Sequence, residues 1–316
     1  MTAAHFTPAA DIFETWAADV IGGKPPELWR VGAGFHPVEL GPQLVTLVGG
    51  APGAGKTALV MQWAVDALRG DGALRAMVAN VEMAPRTLLD RQLARLSGLD
   101  AAWIRFRMLA GHEHRARAGL DVLAGIADRL AFHTGPASLL DVARSVDAFG
   151  ARLLVLDDIQ RFGLGTGDAQ QDRRAELDGV MAHVRRFADA GLGVLVVSAV
   201  SRQKGKTGSN YAGLGLASFR GSSELEYGAD SCWTLAPEDE TDRHSPVRLD
   251  CAKNRHGGTP SLLLNFDRMR QAFTLADGTG GAAPMPQPAP AHPAPVAADA
   301  FDLGGEGYSE DDVPFE

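Results

Sequence analysis

The sequence predicts an α/β fold: a mostly parallel central sheet flanked by helices, closed by antiparallel C-terminal strands and followed by a disordered tail. Three observations predict it. Apolar, β-branched runs at Leu44–Val48, Leu74–Val81, Leu153–Asp157 and Gly193–Ser198 alternate with amphipathic helical stretches, the pattern of strands buried on both faces. The first run breaks into a glycine-rich turn that re-emerges as a helix from Lys56 to Leu68. From Asp277 onward the periodicity collapses, and six prolines fall within 284–295.

That glycine-rich turn carries the strongest chemical signal. Gly50, Ala51, Pro52, Gly53, Ala54, Gly55, Lys56 and Thr57, followed by Ala58, complete the G-x-x-x-x-G-K-[ST] spacing of a P-loop. Glycines let successive backbone N–H groups curl around one anion, and the helix N-terminus adds the positive end of its dipole. Lys56 is placed to reach β- and γ-phosphates and the Thr57 hydroxyl to hold Mg²⁺. The expected ligands are ATP and Mg²⁺.

Bulk properties exclude little but direct the rest. The 316 residues, 45% apolar, suffice for one sizeable core. Cys232 and Cys251 have no paired spacing, so neither a disulfide framework nor a zinc site is expected. No apolar run approaches 18 residues and no signal-peptide pattern opens the chain, so a cytoplasmic setting without a membrane is expected. The net charge of −9 is unevenly placed: residues 284–316 hold seven acids and no Lys or Arg, and without them −2 remains. A local basic patch is therefore compatible with the charge balance.

In chain order, residues 1–30 read as an arm, 31–276 as the ATPase domain and 277–316 as a Pro-rich acidic tail. Within the arm, Ala9–Ile21 carries Ile12, Phe13, Trp16 and Val20 at helical spacing. Such a helix needs a surface to dock on, in its own core or on a neighbouring subunit. The strand Leu74–Val81 delivers Glu82 at its end, and Pro85 opens a helix running to Ser97. Residues 101–130 read as helical. Gly111-His-Glu-His114 lacks the spacing that puts two metal ligands on one helix face, so it reads as solvated. Leu153–Asp157 presents Asp157 at a strand end, where a carboxylate can organise Mg²⁺. A helix follows from Arg173 to Ala190. Two polar, glycine-containing segments, Leu164–Asp172 and Arg202–Ala217, follow two adjacent strands. With Arg173, Arg202, Lys204, Lys206 and Arg220 they read either as a channel for single-stranded nucleic acid or as plain surface loops. Strands at Ser231–Leu235, Val247–Ala252 and Ser261–Phe266 are expected as antiparallel additions, with Lys253 and Arg255 in the turn between the last two.

Taken together these segments resemble, over residues 31–276, the RecA-like motor domain of DnaB-type replicative helicases. The pieces stand in the family's order: Gly50–Thr57; Val81-Glu-Met83 with Arg91 after it; Leu156-Asp-Asp-Ile-Gln160; Ser198–Arg202; Phe219–Asp230; Lys253-Asn-Arg-His-Gly257. The resemblance implies that Glu82 polarises the attacking water and that Asp157 organises Mg²⁺. It implies that Lys253 and Arg255 act as a finger on a neighbouring subunit's nucleotide, which requires a ring or filament. It also implies single-stranded DNA as partner, in replication or plasmid and phage maintenance. Three departures accompany it. Ala199 stands where the family pattern Ser-Gln-x-x-Arg has its γ-phosphate-sensing Gln, the N-terminal collar domain is missing, and the tail ends Glu310-Asp-Asp-Val-Pro-Phe-Glu316. That ending resembles the acidic tip of bacterial single-stranded-DNA-binding proteins and suggests a replication or recombination partner. Two other functions stay open: a recombination mediator or annealing ATPase, and an ATP-dependent scaffold.

Overall fold

The computed structural model describes residues 6–164, 173–200, 203–205, 208–210, 214–215, 218–219, 224–239, 241–242 and 244–276. The compact unit is Pro26–Ala282. Helix α1 (Ala9–Ile21) belongs to a second unit; Ile12, Phe13, Trp16 and Val20 are all exposed in it. The expected tail lies outside the described residues.

Eleven strands and seven further helices are described beyond α1. In chain order they are β1 (Val45–Gly50), α2 (Lys56–Gly70), β2 (Ala76–Asn80), α3 (Pro85–Ser97), α4 (Ala101–Phe106), α5 (Glu113–Ala124), β3 (Leu130–Phe132), α6 (Leu139–Phe149) and β4 (Leu153–Asp157). Then follow a 3₁₀ turn (Ile159–Arg161), α7 (Arg173–Asp189), β5 (Gly193–Ala199), β6 (Gln203–Gly205), β7 (Gly208–Asn210), α8 (Glu224–Gly228), β8 (Ser231–Pro237), β9 (Val247–Asn254), β10 (Ser261–Asp267) and β11 (Ala272–Leu275). Nine of these strands form one sheet in the order β11-β10-β9-β8-β1-β5-β4-β2-β3, and β6 and β7 make a separate antiparallel pair.

β1, β2, β4 and β5 are buried along nearly their whole length because helices cover both sheet faces. Alternate residues of β1 serve two cores. Val45 and Leu47 join Val142, Val146, Val180 and Val184 of α6 and α7, whereas Val48 joins Leu59, Trp63, Leu88 and Leu93 of α2 and α3.

Several segments differ from expectation. The helical run expected over 101–130 is broken: α4 stops where Arg107 takes φ 57°, and α5 starts only at Glu113. β8 pairs parallel to β1 (Thr46 beside Ser231, Gly50 beside Leu235), so the antiparallel addition begins only with β9. β3, α6, α8 and β11 were not expected, nor was the β6–β7 pair inside the segment read as a loop; these strands are only three or four residues long, too brief for a period-2 signal. Among the described residues, no helix is long and apolar enough to cross a membrane.

Candidate active site

The C-terminal ends of β1, β2, β4 and β5 border one cleft of about 590 Å³. It is lined by Pro52, Gly53 and Gly55 to Ala58 of the P-loop and α2, by Glu82, Asp157, Asp158 and Ala199, and by residues expectation passed over. A crevice outside the carboxyl ends of parallel strands is where open α/β sheets place ligands.

The loop owes its shape to particular glycines. Gly53 and Gly55 take φ of 78° and 97°, which side chains rarely adopt. Gly55 is the N-cap of α2, and a Cβ there would lie 2.7 Å from the Phe273 ring. The Lys56 ammonium donates to the carbonyls of Gly50 (2.8 Å) and Ala51 (3.2 Å). Burial lowers its pKa, against the pull of Asp158, Asp157 and Glu82.

Asp157 is the electrostatic centre. It is 5% exposed, accepts from the Thr57 hydroxyl at 2.7 Å and from Asn80 Nδ2 at 2.7 Å. Burial pushes its pKa up to about 6, Thr57's hydrogen bond pulls it down, and Asp158 pushes it up again. A hydroxyl and a carboxylate, both hard oxygen donors, touching at the head of α2 suit Mg²⁺. When bound there, the ion would neutralise phosphate charge as a Lewis acid.

Glu82 reaches the cleft through local backbone geometry. Asn80 ends β2 in register with Asp157, and its Oδ1 accepts the N–H groups of Glu82 (2.9 Å) and Met83 (2.7 Å). This Asx turn halts the strand and leads to Pro85 at the start of α3. The Glu82 carboxylate is half exposed and lies 3.6 Å from the Arg161 guanidinium.

Asn80, Arg91, Phe266, Arg268 and Gln271 were given no role in advance. Arg91, of α3, lines the cleft; burial lowers its pKa and Asp157 raises it. Arg268 donates to the Gly53 carbonyl at 2.7 Å and lies over the Phe266 ring. Two signals were available: Asn80, a polar residue closing a buried strand, and Arg91, which follows Val81-Glu-Met83 in the family's order. The others reach the loop from more than 200 residues downstream.

Lys253 and Arg255 are not in this cleft. The Lys253 ammonium donates to the Ala229 carbonyl (2.7 Å), and Arg255 donates to Asp230 Oδ1 (3.0 Å) and to the Tyr227 carbonyl. Asp230 also accepts from Arg185 and from the Val45 N–H that begins β1. Both cations thus stand at the edge where β1 starts, and the P-loop stands where it ends. The side chains of Arg173 and Lys204, and all of Arg202, Lys206 and Arg220, lie outside the described residues. In the Gly111–His114 segment, His112 stacks on Trp103 with ring centroids 5.1 Å apart.

A family model for the DnaB-like helicase C-terminal domain matches residues 27–275. The chain belongs to this family. As a DnaB-like protein it is an enzyme of the ATPase and helicase class. Its fold is similar to a solved ATPase domain, with TM-score 0.73 and 17% identity, covering 86% of this chain and 100% of that one. It is also similar to a DnaB-like replicative helicase solved for its interactions with primase, with TM-score 0.69 and 17% identity, covering 86% and 68% of the two chains. No curated protein matches the chain.

Proposed function

We propose that this DnaB-like chain hydrolyses ATP with Mg²⁺ and acts as an oligomeric motor on single-stranded DNA. The observation that carries this reading is one cleft uniting the P-loop, the Thr57–Asp157 pair and Glu82. In it Lys56 leaves the Gly50 and Ala51 carbonyls for the β- and γ-phosphates, Thr57 and Asp157 hold Mg²⁺, and Glu82 orients the attacking water. Arg255 and Lys253 supply charge to a neighbouring copy's nucleotide, with which their place at the opposite end of the strands agrees. The acidic tail would recruit a replication or recombination partner.

The test is ATP turnover with and without single-stranded DNA, followed by fork unwinding. Stimulation and unwinding are expected, and Lys56→Ala should reduce turnover by about 10³-fold, the scale of losing a phosphate-clamping cation. Wild-type turnover with neither stimulation nor unwinding would sink the motor reading. One observation favours a second reading, an annealing or recombination ATPase: at the sensor position Ala199 offers the cleft only a methyl group. Filaments on DNA in place of rings would select it.

A further inference from the structure

β4 and β5 pair only as far as Leu156 beside Val196. At Asp157 the β4 chain is in register with Asn80 on its other side and then turns away, so Val197–Ala199 run on past its backbone. The Gln160 carboxamide stands there instead. Its Oε1 accepts from the Ala199 N–H at 3.1 Å, and its Nε2 donates to Ser198 Oγ at 2.7 Å and faces the Ala199 carbonyl at 3.4 Å. A carboxamide has an acceptor and two donors, so it can answer both backbone groups of one residue as a neighbouring strand would.

Gln160 is tied to the nucleotide cleft at its other end. It lies in the 3₁₀ turn straight after Asp157, and Asp158, a cleft residue, accepts from the Gln160 N–H at 3.1 Å. Beyond the carboxamide, Ala199 is in register with Gly50 of the P-loop. Val200 then bridges to Phe219, and a side chain at Gly49 would run into the Phe219 ring. The segment between Val200 and Phe219 carries Arg202, Lys204 and Lys206.

We propose that Gln160 is a positioning residue that passes the state of the nucleotide site to the end of β5, by holding the Ala199 backbone from β4's turn. The proposal rests on the nucleotide-driven function above. It concerns how the ends of two strands are held together, whatever the partner gripped beyond Val200.

The test is amide hydrogen exchange across Val197–Val200 and Phe219 in the full chain, with and without a non-hydrolysable ATP analogue and Mg²⁺. Wild type is compared with Gln160→Ala and with Gln160→Glu, which keeps the shape but sets a carboxylate oxygen against the Ala199 carbonyl. The analogue is expected to slow exchange about 5-fold or more in wild type and less than about 2-fold in the variants, the scale on which coupled sites differ. Affinity for the analogue should stay within about 3-fold, since Gln160 does not line the cleft. A merely structural glutamine would raise exchange equally with and without nucleotide, leaving the ratio unchanged. An unchanged ratio in either folded variant, or no response in wild type, overturns the proposal; should Gln160→Ala lose its fold, Gln160→Glu decides. Single-stranded DNA affinity is measured in parallel. A wild type without DNA affinity, but with an exchange response that the variants lose, leaves the relay standing and overturns the motor.

Discussion

Asp157 shows how a single carboxylate records the need for a cation. It is buried between Thr57 and Asn80, and its pKa rises from 3.8 to about 6 because burial, helped by the charges of Asp158 and Glu82, outweighs the Thr57 hydrogen bond and the Lys56 charge. The folded protein therefore holds this proton more tightly than the unfolded chain. That stabilises the fold below pH 3.8 and is lost as pH rises through 6. At neutral pH the ionised group costs the nucleotide-free protein on the order of 2–3 kcal/mol. Asp157→Asn should accordingly unfold a few degrees higher than wild type at pH 7.5, with the gap closing toward pH 4. It should also lose Mg²⁺-dependent nucleotide binding. Thermal unfolding across that range is the check, and a pH-independent gap would mean that Asp157 is not the group responsible.

At the scale of elements, the hairpin β10–β11 props up the P-loop. Phe266 and Phe273 stack with centroids 4.2 Å apart and planes 3° from parallel, and both rings press on Gly55. Gly55→Ala combines a disfavoured φ with overpacking and should destabilise by about 2–4 kcal/mol. Gly53→Ala meets nothing within 4 Å and should cost about 1 kcal/mol from φ alone. Denaturant unfolding of the two variants compares them; equal losses would show that the aromatic pair imposes no constraint on the loop. Elements were legible where the signal is local and strong. α1 is read over its observed Ala9–Ile21, and α3 starts at Pro85 as expected. The break after Arg107 was not, because the apolar spacing continues across it and a single glycine, Gly111, at φ 79°, is a weak stop signal. Nor could Ser231–Pro237 reveal its direction: parallel and antiparallel strands share composition, and only its seat beside β1 decides.

Across the whole sheet, the two halves of the expected chemistry stand at opposite ends of its strands. The P-loop and Asp157 follow the C-terminal ends of β1 and β4, whereas Arg255 is held by Asp230, which also caps the N–H of Val45. A chain so built cannot bring Arg255 to its own nucleotide; a head-to-tail neighbour can. Arg255→Ala should leave nucleotide affinity largely intact and lower turnover by about 10³-fold, the low end for an arginine finger. The fold should tolerate it, because Arg185 remains paired with Asp230. Mixing Arg255→Ala with Glu82→Gln subunits should restore part of the activity, since some interfaces then join an intact Glu82 to an intact Arg255. Turnover of the mixture no higher than the sum of its parts would argue against a shared site.

By itself the sequence determined the parts whose chemistry is local: the P-loop, whose spacing and flanking strand and helix lie within some twenty residues, and the carboxylates Glu82 and Asp157 at strand ends. It also determined the family, because six short motifs keep their order. Only the tertiary structure decided what those parts touch. Asn80 meets Asp157 across 77 residues, Arg268 meets Gly53 across 215, and Gln160 meets Ala199 across 39. Such contacts leave no periodic trace, because strand order in the sheet, β1 beside β5 and β4 beside β2, bears no simple relation to order in the chain. Whether a polar residue at a strand end becomes a ligand, a clamp or a cap depends on its neighbour in that order. At position 199 this changes the reading: the backbone of Ala199 is held by Gln160, from the turn that follows the neighbouring strand.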